Sequence, residues 1–150
     1  GWGVTIAGRN PERLAAARAM DLSAVPLSEL DRRDHDLVVE CTGQVSVWES
    51  APDHLRRGGW AILFGGPPGG TRASFDTHRL HYDEIGLYSP FHFGTAAVRF
   101  ARECLLDPAF DLSPLLSGDR TLEEGAAVFA DLEAGRGIKW AMRPGSGSVK

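Results

Sequence analysis

Four glycines crowd the six residues 65–70, Gly65, Gly66, Gly69 and Gly70, directly after the apolar run WAILF at 60–64. Glycine at such a place permits positive φ and lets a ligand or another backbone approach closely. Gly58 and Gly59 precede the run and fit a helix C-cap followed by a tight turn. His78, His81 and Glu84 have the i, i+3, i+6 spacing that could place three metal-binding groups on one helix face. His92 lies between Phe91 and Phe93, where a packed histidine competes with an acid–base group. The two cysteines, Cys41 and Cys104, have no C-x-x-C spacing, which argues against a zinc or redox motif. They are expected to be buried free thiols in a reducing, cytoplasmic setting. Ser46, Ser50 and Ser117 lack a nucleophile-elbow pattern, so no catalytic triad is indicated.

These residues need elements to hold them. The run 60–64 has no polar alternation and is expected to be a strand buried on both faces, as in a parallel sheet covered by helices. Residues 4–7 and the stretch DLVVECTG at 36–43 predict two further strands, the second ended by Gly43. SAVPL predicts a short strand stopped by Pro26, and EIGLYS at 84–89 a weaker one. GIKWAM predicts the last strand. Asn10 as N-cap and Pro11 at the first helical position open an alanine-rich helix to about Met20. SELDRRDHD is polar, helical or loop-like. SVWESAPDHLRR predicts a helix with an awkward interior Pro52. GTAAVRFARECLLD is amphipathic, with Val98, Ala101 and Leu105 at helical spacing after Thr95. Thr121 with Glu124 forms a capping box for a helix closed by Gly135. Strands alternate with helices, which predicts an α/β fold with a mostly parallel sheet. Ligands then bind outside the carboxyl ends of the strands, where the second glycine cluster falls.

The chain has 150 residues, 43% of them hydrophobic and 24% charged, with a net charge of −4. One domain is expected over 1–144, with a disordered tail over 145–150. No block of like charge suggests nucleic acid or an anionic membrane. No apolar run approaches transmembrane length, and the GWGVTIAGRN start does not predict a signal peptide.

Four stretches in order, DLVVECTG, LRRGGWAILFGG, LHYDEIGLYSPFHF and GIKWAMRP, form a series. It resembles the C-terminal, cofactor-binding half of the medium-chain dehydrogenase/reductase family, most of all its zinc-dependent alcohol, sorbitol and threonine dehydrogenases. The resemblance covers residues 4–144. It implies a truncated Rossmann-like parallel sheet with helices on both faces, and hydride exchange between NADP or NAD and an alcohol or polyol. It also implies site residues. Thr42 and Gly43 would lie beside the adenosine-side ribose and the nicotinamide arm. Phe64, Gly65 and Gly66 would line the nicotinamide pocket through backbone groups. Ser89, Pro90 and Phe91 would form its next segment. Lys139 would approach the pyrophosphate, with a solvated surface cation as the plainer alternative. The segment with His78, His81 and Glu84 would be a surface turn before a strand, with hydrogen-bonding rather than metal-binding histidines.

The departures matter as much. G-x-G-x-x-G, which cradles the pyrophosphate in such folds, does not occur here. The family's first strand, its first helix, and the catalytic domain with its zinc ligands have no counterpart. The sequence is therefore expected to be a C-terminal fragment, inactive alone, whose parent enzyme held a zinc that this chain does not bind. Strand 4–7 resembles the second strand of the fold and ends in Gly8 and Arg9 with no carboxylate. That predicts a parent preferring NADP, with Arg9 on the 2′-phosphate. Two alternatives stay open: a non-catalytic self-associating module, and a subunit completing an active site with a separately encoded N-terminal half.

Overall fold

The computed structural model describes residues 1–30 and 33–145. Asp31, Arg32 and most of the expected tail, 146–150, lie outside the described residues. In chain order the elements are β1 (Thr5–Gly8), α1 (Pro11–Ala19), β2 (Ser23–Pro26), β3 (His35–Glu40), α2 (Val45–Ser50) and β4 (Leu55–Leu63). There follow α3 (Thr77–Tyr82), β5 (Gly86–Tyr88), α4 (Thr95–Leu106), β6 (Leu116–Thr121), α5 (Gly125–Glu133) and β7 (Lys139–Arg143). Every strand pair is parallel. The chain forms two compact units, one of Leu30–Gly94 and one of Gly1–Glu29 with the residues from Thr95 onward.

In the second unit β1 pairs with β2, and α1 packs on them through Leu14 and Ala17 against Ala24. The Asn10 cap forms as the sequence predicts: its side-chain oxygen accepts from the amides of Glu12 (2.9 Å) and Arg13 (3.2 Å). The Thr121–Glu124 capping box is also present, heading a 3-10 turn that runs into α5. Gly135 ends that helix at φ +76°. β6 was not expected from its polar sequence LSGDRT. It pairs with β7, and the Arg120 guanidinium lies 4.2 Å above the Trp140 ring. α4 forms where its periodicity places it, yet Val98, Phe100, Leu105 and Leu106 are exposed.

The Leu30–Gly94 unit is a three-stranded sheet in the order β3-β4-β5. Side chains alternate along its strands, so Val38, Ala61, Leu63 and Leu87 share one face. That face packs on Ala51, Trp48, Phe75 and Leu80. The opposite face carries Leu37, Val39, Trp60 and Tyr88, all exposed. The run at 60–64 is thus buried on one face only: Ala61 is fully buried, while Trp60 is 54% exposed. Uniform hydrophobicity did not distinguish the two faces. The Trp60 indole instead lies over its registered neighbour, where a Cβ on Gly86 would meet the ring at 2.4 Å.

Gly58 and Gly59 also differ from expectation. Pro52 limits α2 to one short helix followed by a 3-10 turn over Ala51–His54, and β4 begins at Leu55. The two glycines sit inside β4, in an irregularity where His35 pairs with Leu55 but Leu37 pairs with Trp60. Gly58 adopts φ +73° there and donates its amide to the Asp83 carbonyl at 2.8 Å. Buried Arg79, on α3, fastens the start of β4 by donating to the carbonyls of Pro52 (2.8 Å) and Leu55 (2.7 Å).

Candidate cofactor-binding site

Strands β3, β4 and β5 run in parallel, so their carboxyl ends share one edge of the sheet. The loops leaving that edge carry eight of the ten cofactor-site residues singled out from sequence: Thr42, Gly43, Phe64, Gly65, Gly66, Ser89, Pro90 and Phe91. Arg9 and Lys139 belong to the other unit, where both are exposed. Arg9 follows β1, and Lys139 opens β7 opposite Leu116.

A residue that sequence reading passed over joins these loops. Glu40 is the last residue of β3 and is only 3% exposed. Its Oε1 accepts from the Thr42 amide (2.6 Å) and the Thr42 hydroxyl (2.5 Å), and its Oε2 from the Gly43 amide (3.2 Å). Its main-chain carbonyl accepts from the amides of Phe64 (2.9 Å) and Gly65 (2.8 Å). Burying a carboxylate is costly unless donors replace water, and three do. The signal was available: an acid where an apolar strand ends, with donors two and three residues on.

The glycines divide into two sets. A Cβ on Gly43, which has φ +69°, would stand 2.5 Å from the Gly66 carbonyl oxygen. A Cβ on Gly65 would stand 2.2 Å from the Gly43 nitrogen and 2.8 Å from Glu40 Oε2. These two let the chain pack on itself. Around Gly66, Gly69 and Gly70 a Cβ would meet nothing within 4 Å. The space open to a ligand therefore begins at Gly66.

Hydrogen bonding narrows the polar groups as well. The Thr42 hydroxyl donates to Glu40 and accepts from the Gln44 amide at 3.2 Å, which leaves it one lone pair and no proton. The Gly65 carbonyl accepts from the Trp48 indole at 2.9 Å. The Ser89 hydroxyl donates to the Leu63 carbonyl at 3.2 Å, tying the end of β5 to the end of β4. The loop after β4 returns to α2, where the Ser74 amide donates to Glu49 at 2.9 Å. Phe64 and Phe91 are exposed aromatic faces at this edge.

Three other expectations are corrected. His92 is exposed rather than packed, at φ +61°, with its ring 3.8 Å from that of Phe91. His78 and His81 lie on α3 rather than in a turn, because Asp76 caps a helix there, accepting from the amides of His78 and Arg79. Both rings contact Tyr82, while Glu84 falls past the helix at φ +52°. Cys41 is exposed and Cys104 half-buried, each a free thiol. The Cys41 thiol turns back toward the Val39 carbonyl at 3.8 Å. Partial burial, and then the Glu40 charge, push its pKa above the ordinary thiol value.

Among the described residues no three His, Cys, Asp or Glu side chains are grouped so that they could hold a metal ion. The donors present do not fit a zinc site. Among the same residues no helix is long and apolar enough to cross a membrane.

No protein-family model and no curated protein matches the chain. Solved structures do. An alcohol dehydrogenase from Thermotoga maritima superposes with a TM-score of 0.82 at 18% identity, covering 96% of this chain and 44% of that one. An alcohol dehydrogenase zinc-binding domain protein from Burkholderia ambifaria gives 0.81 at 24% identity, over 93% of this chain and 41% of that one. The fold is that of the cofactor-binding half of alcohol dehydrogenases. A third structure, described as a zinc-binding dehydrogenase from Sinorhizobium meliloti and bound to NADP, gives 0.77 at 18% identity over 85% of this chain. The chain spans 41% of that protein's length, and well under half of each of the other two. In open parallel α/β sheets ligands bind outside the carboxyl ends of the strands, the position that the loops after β3, β4 and β5 occupy here.

Proposed function

We propose that this chain supplies the nicotinamide-side wall of an NAD(P)-dependent oxidoreductase acting on an alcohol or polyol. One observation carries the reading: the open space at Gly66, Gly69 and Gly70 lies on the shared carboxyl edge of three parallel strands. Exposed Phe64 and Phe91 occupy the same edge. The nicotinamide, when bound, accepts or gives the hydride. Gly66 lets its ring approach the backbone, Phe64 and Phe91 offer apolar flanks, and Thr42 has a lone pair for a donor. Ser89, Gly43 and Gly65 hold this wall in shape. Lys139 suits the pyrophosphate and Arg9 a 2′-phosphate, by charge. Among the described residues the zinc of the related proteins has no donor set, so no step of the reaction is assigned to it.

These 150 residues contain no G-x-G-x-x-G. Without that nest of amides and its helix dipole, binding of the dianionic pyrophosphate rests on Lys139, a flexible hydrated charge. The isolated chain is therefore expected neither to bind the dinucleotide tightly nor to oxidise alcohols. A second reading, completion by a separately supplied chain, is favoured by β3: among the described residues its one strand neighbour is β4.

The test is a titration of the 150-residue chain with nicotinamide mononucleotide, followed by backbone NMR. Shifts concentrated at Thr42, Gly43, Gly66 and Phe91, saturating on the order of millimolar, support the reading. They should vanish in Gly66→Val with the melting temperature unchanged. Shifts scattered elsewhere, or binding indifferent to Gly66→Val, would sink it. Calorimetry with NADPH and zinc-supplemented assays on sorbitol, threonine and simple alcohols should be blank for the isolated chain.

A further inference from the structure

We propose that Glu40 is the positioning residue of this edge, setting the Thr42–Gly43 turn and the Phe64–Gly66 loop together as one body. Its role as part of a nicotinamide wall rests on the reading above. The geometry is specific. The side chain holds the first loop by three hydrogen bonds, and the main-chain carbonyl of the same residue holds the second by two. The loops then touch directly, with no room for a methyl group between Gly43 and Gly66 or between Gly65 and Gly43. A displaced Gly43 must displace Gly65 and Gly66, because contacts this close transmit movement rather than absorb it.

The choice of a carboxylate follows from the donors. Two amides and one hydroxyl converge on the end of β3, all of them donors. Only an ionised acid presents acceptors on both oxygens. A glutamine keeps one acceptor and turns its NH2 toward a donor, so either Gly43 or Thr42 loses its partner. An aspartate is one methylene short. The buried position excludes water from repairing the loss.

The experiment compares wild type with Glu40→Gln in the full 150-residue chain, without ligand, by backbone NMR and amide exchange. The amide of Gly43 should exchange about tenfold faster, the cost of one orphaned buried donor. Resonances of Gly66 should move although no hydrogen bond joins it to Glu40, together with those of Gly65, which lies against Glu40 Oε2. Ala61 and Ile62, in the middle of β4, should keep their protection. Unmoved resonances at Gly65 and Gly66 would overturn the proposal. So would equal loss of protection at Ala61 and Ile62, since that marks a general fold defect. Should Glu40→Gln not fold, Thr42→Val removes one donor from the partner's side and must move Gly43, Gly65 and Gly66 in the same way. A nicotinamide mononucleotide titration adds the functional arm, with affinity expected to fall about tenfold in Glu40→Gln. If wild type does not respond to the mononucleotide, the nicotinamide reading fails, and the ligand-free spectra still decide the coupling.

Discussion

The backbone of Gly66 occupies the place a side chain on Gly43 would need: a Cβ there would stand 2.5 Å from the Gly66 oxygen and 2.9 Å from its carbonyl carbon. The contact is one-sided, because a Cβ on Gly66 meets nothing within 4 Å. Gly43→Ala should therefore cost at least about 2 kcal/mol, from left-handed backbone and the clash together. Gly66→Ala should stay within about 0.5 kcal/mol of wild type. Urea titration of both variants checks the asymmetry, and equal losses would contradict it.

Arg9 follows a strand that ends without a carboxylate. A full-length dehydrogenase carrying residues 4–144 in place of its own segment should favour NADP over NAD. Arg9→Ala in that chimera should weaken NADPH about tenfold and NADH little, as expected for one lost charge-assisted hydrogen bond. Equal or better kcat/KM with NAD would refute the assignment.

β1 is a four-residue strand whose sheet, among the described residues, has two members, whereas β4 is flanked on both sides. Two-stranded sheets are marginal alone, so Ile6 and Ala7 should exchange their amides about a hundredfold faster than Ala61 and Ile62. Matching protection in the two strands would mean that β1 is held by more than its partner β2 and helix α1.

The Cys41 thiol is held above the ordinary thiol value by partial burial and by the neighbouring Glu40 charge. Its alkylation by iodoacetamide, followed in a Cys104→Ala background, should rise with pH later than that of a free cysteine. Glu40→Gln removes the second cause and should speed alkylation at any pH below the plateau. The linked stability has a definite sign. The folded chain holds this proton more tightly, so the contribution is complete below the unfolded thiol's pKa. It declines as pH rises through the folded one.

Local chemistry was legible where one residue decides it. Asn10 before Pro11, Thr121 with Glu124, and Gly135 each acted through neighbours within a few positions, and the helices they bound were read correctly. The parallel strands were legible from the alternation of strands with helices. Which face of a strand is covered was not, because that depends on partners far along the chain: Trp60 and Ala61 are alike in sequence and opposite in burial. β6 was missed because its pairing with β7, not its polar sequence, makes it a strand. At the site, glycine indicated that something comes close without saying what. At Gly43 and Gly65 it is the chain's own backbone, and at Gly66 it is open space. Glu40 escaped notice because a charged residue at the end of a strand reads as a surface position until its three donors are located.

The irregularity at Gly58 and Gly59 gives β4 a place to take up changes in chain length. Four residues lie between Leu55 and Trp60 where one lies between their partners His35 and Leu37. A residue inserted or lost between them alters the looped-out segment. It need not slide Trp60 past Leu37, and the pairing of Glu40 with Leu63 stays in step. Without that slack, a single inserted residue would invert the strand, turning Ala61 and Leu63 to solvent and Trp60 into the core. Lineages descended from this sequence can thus vary in length at the entrance to β4 while the carboxyl edge keeps its register.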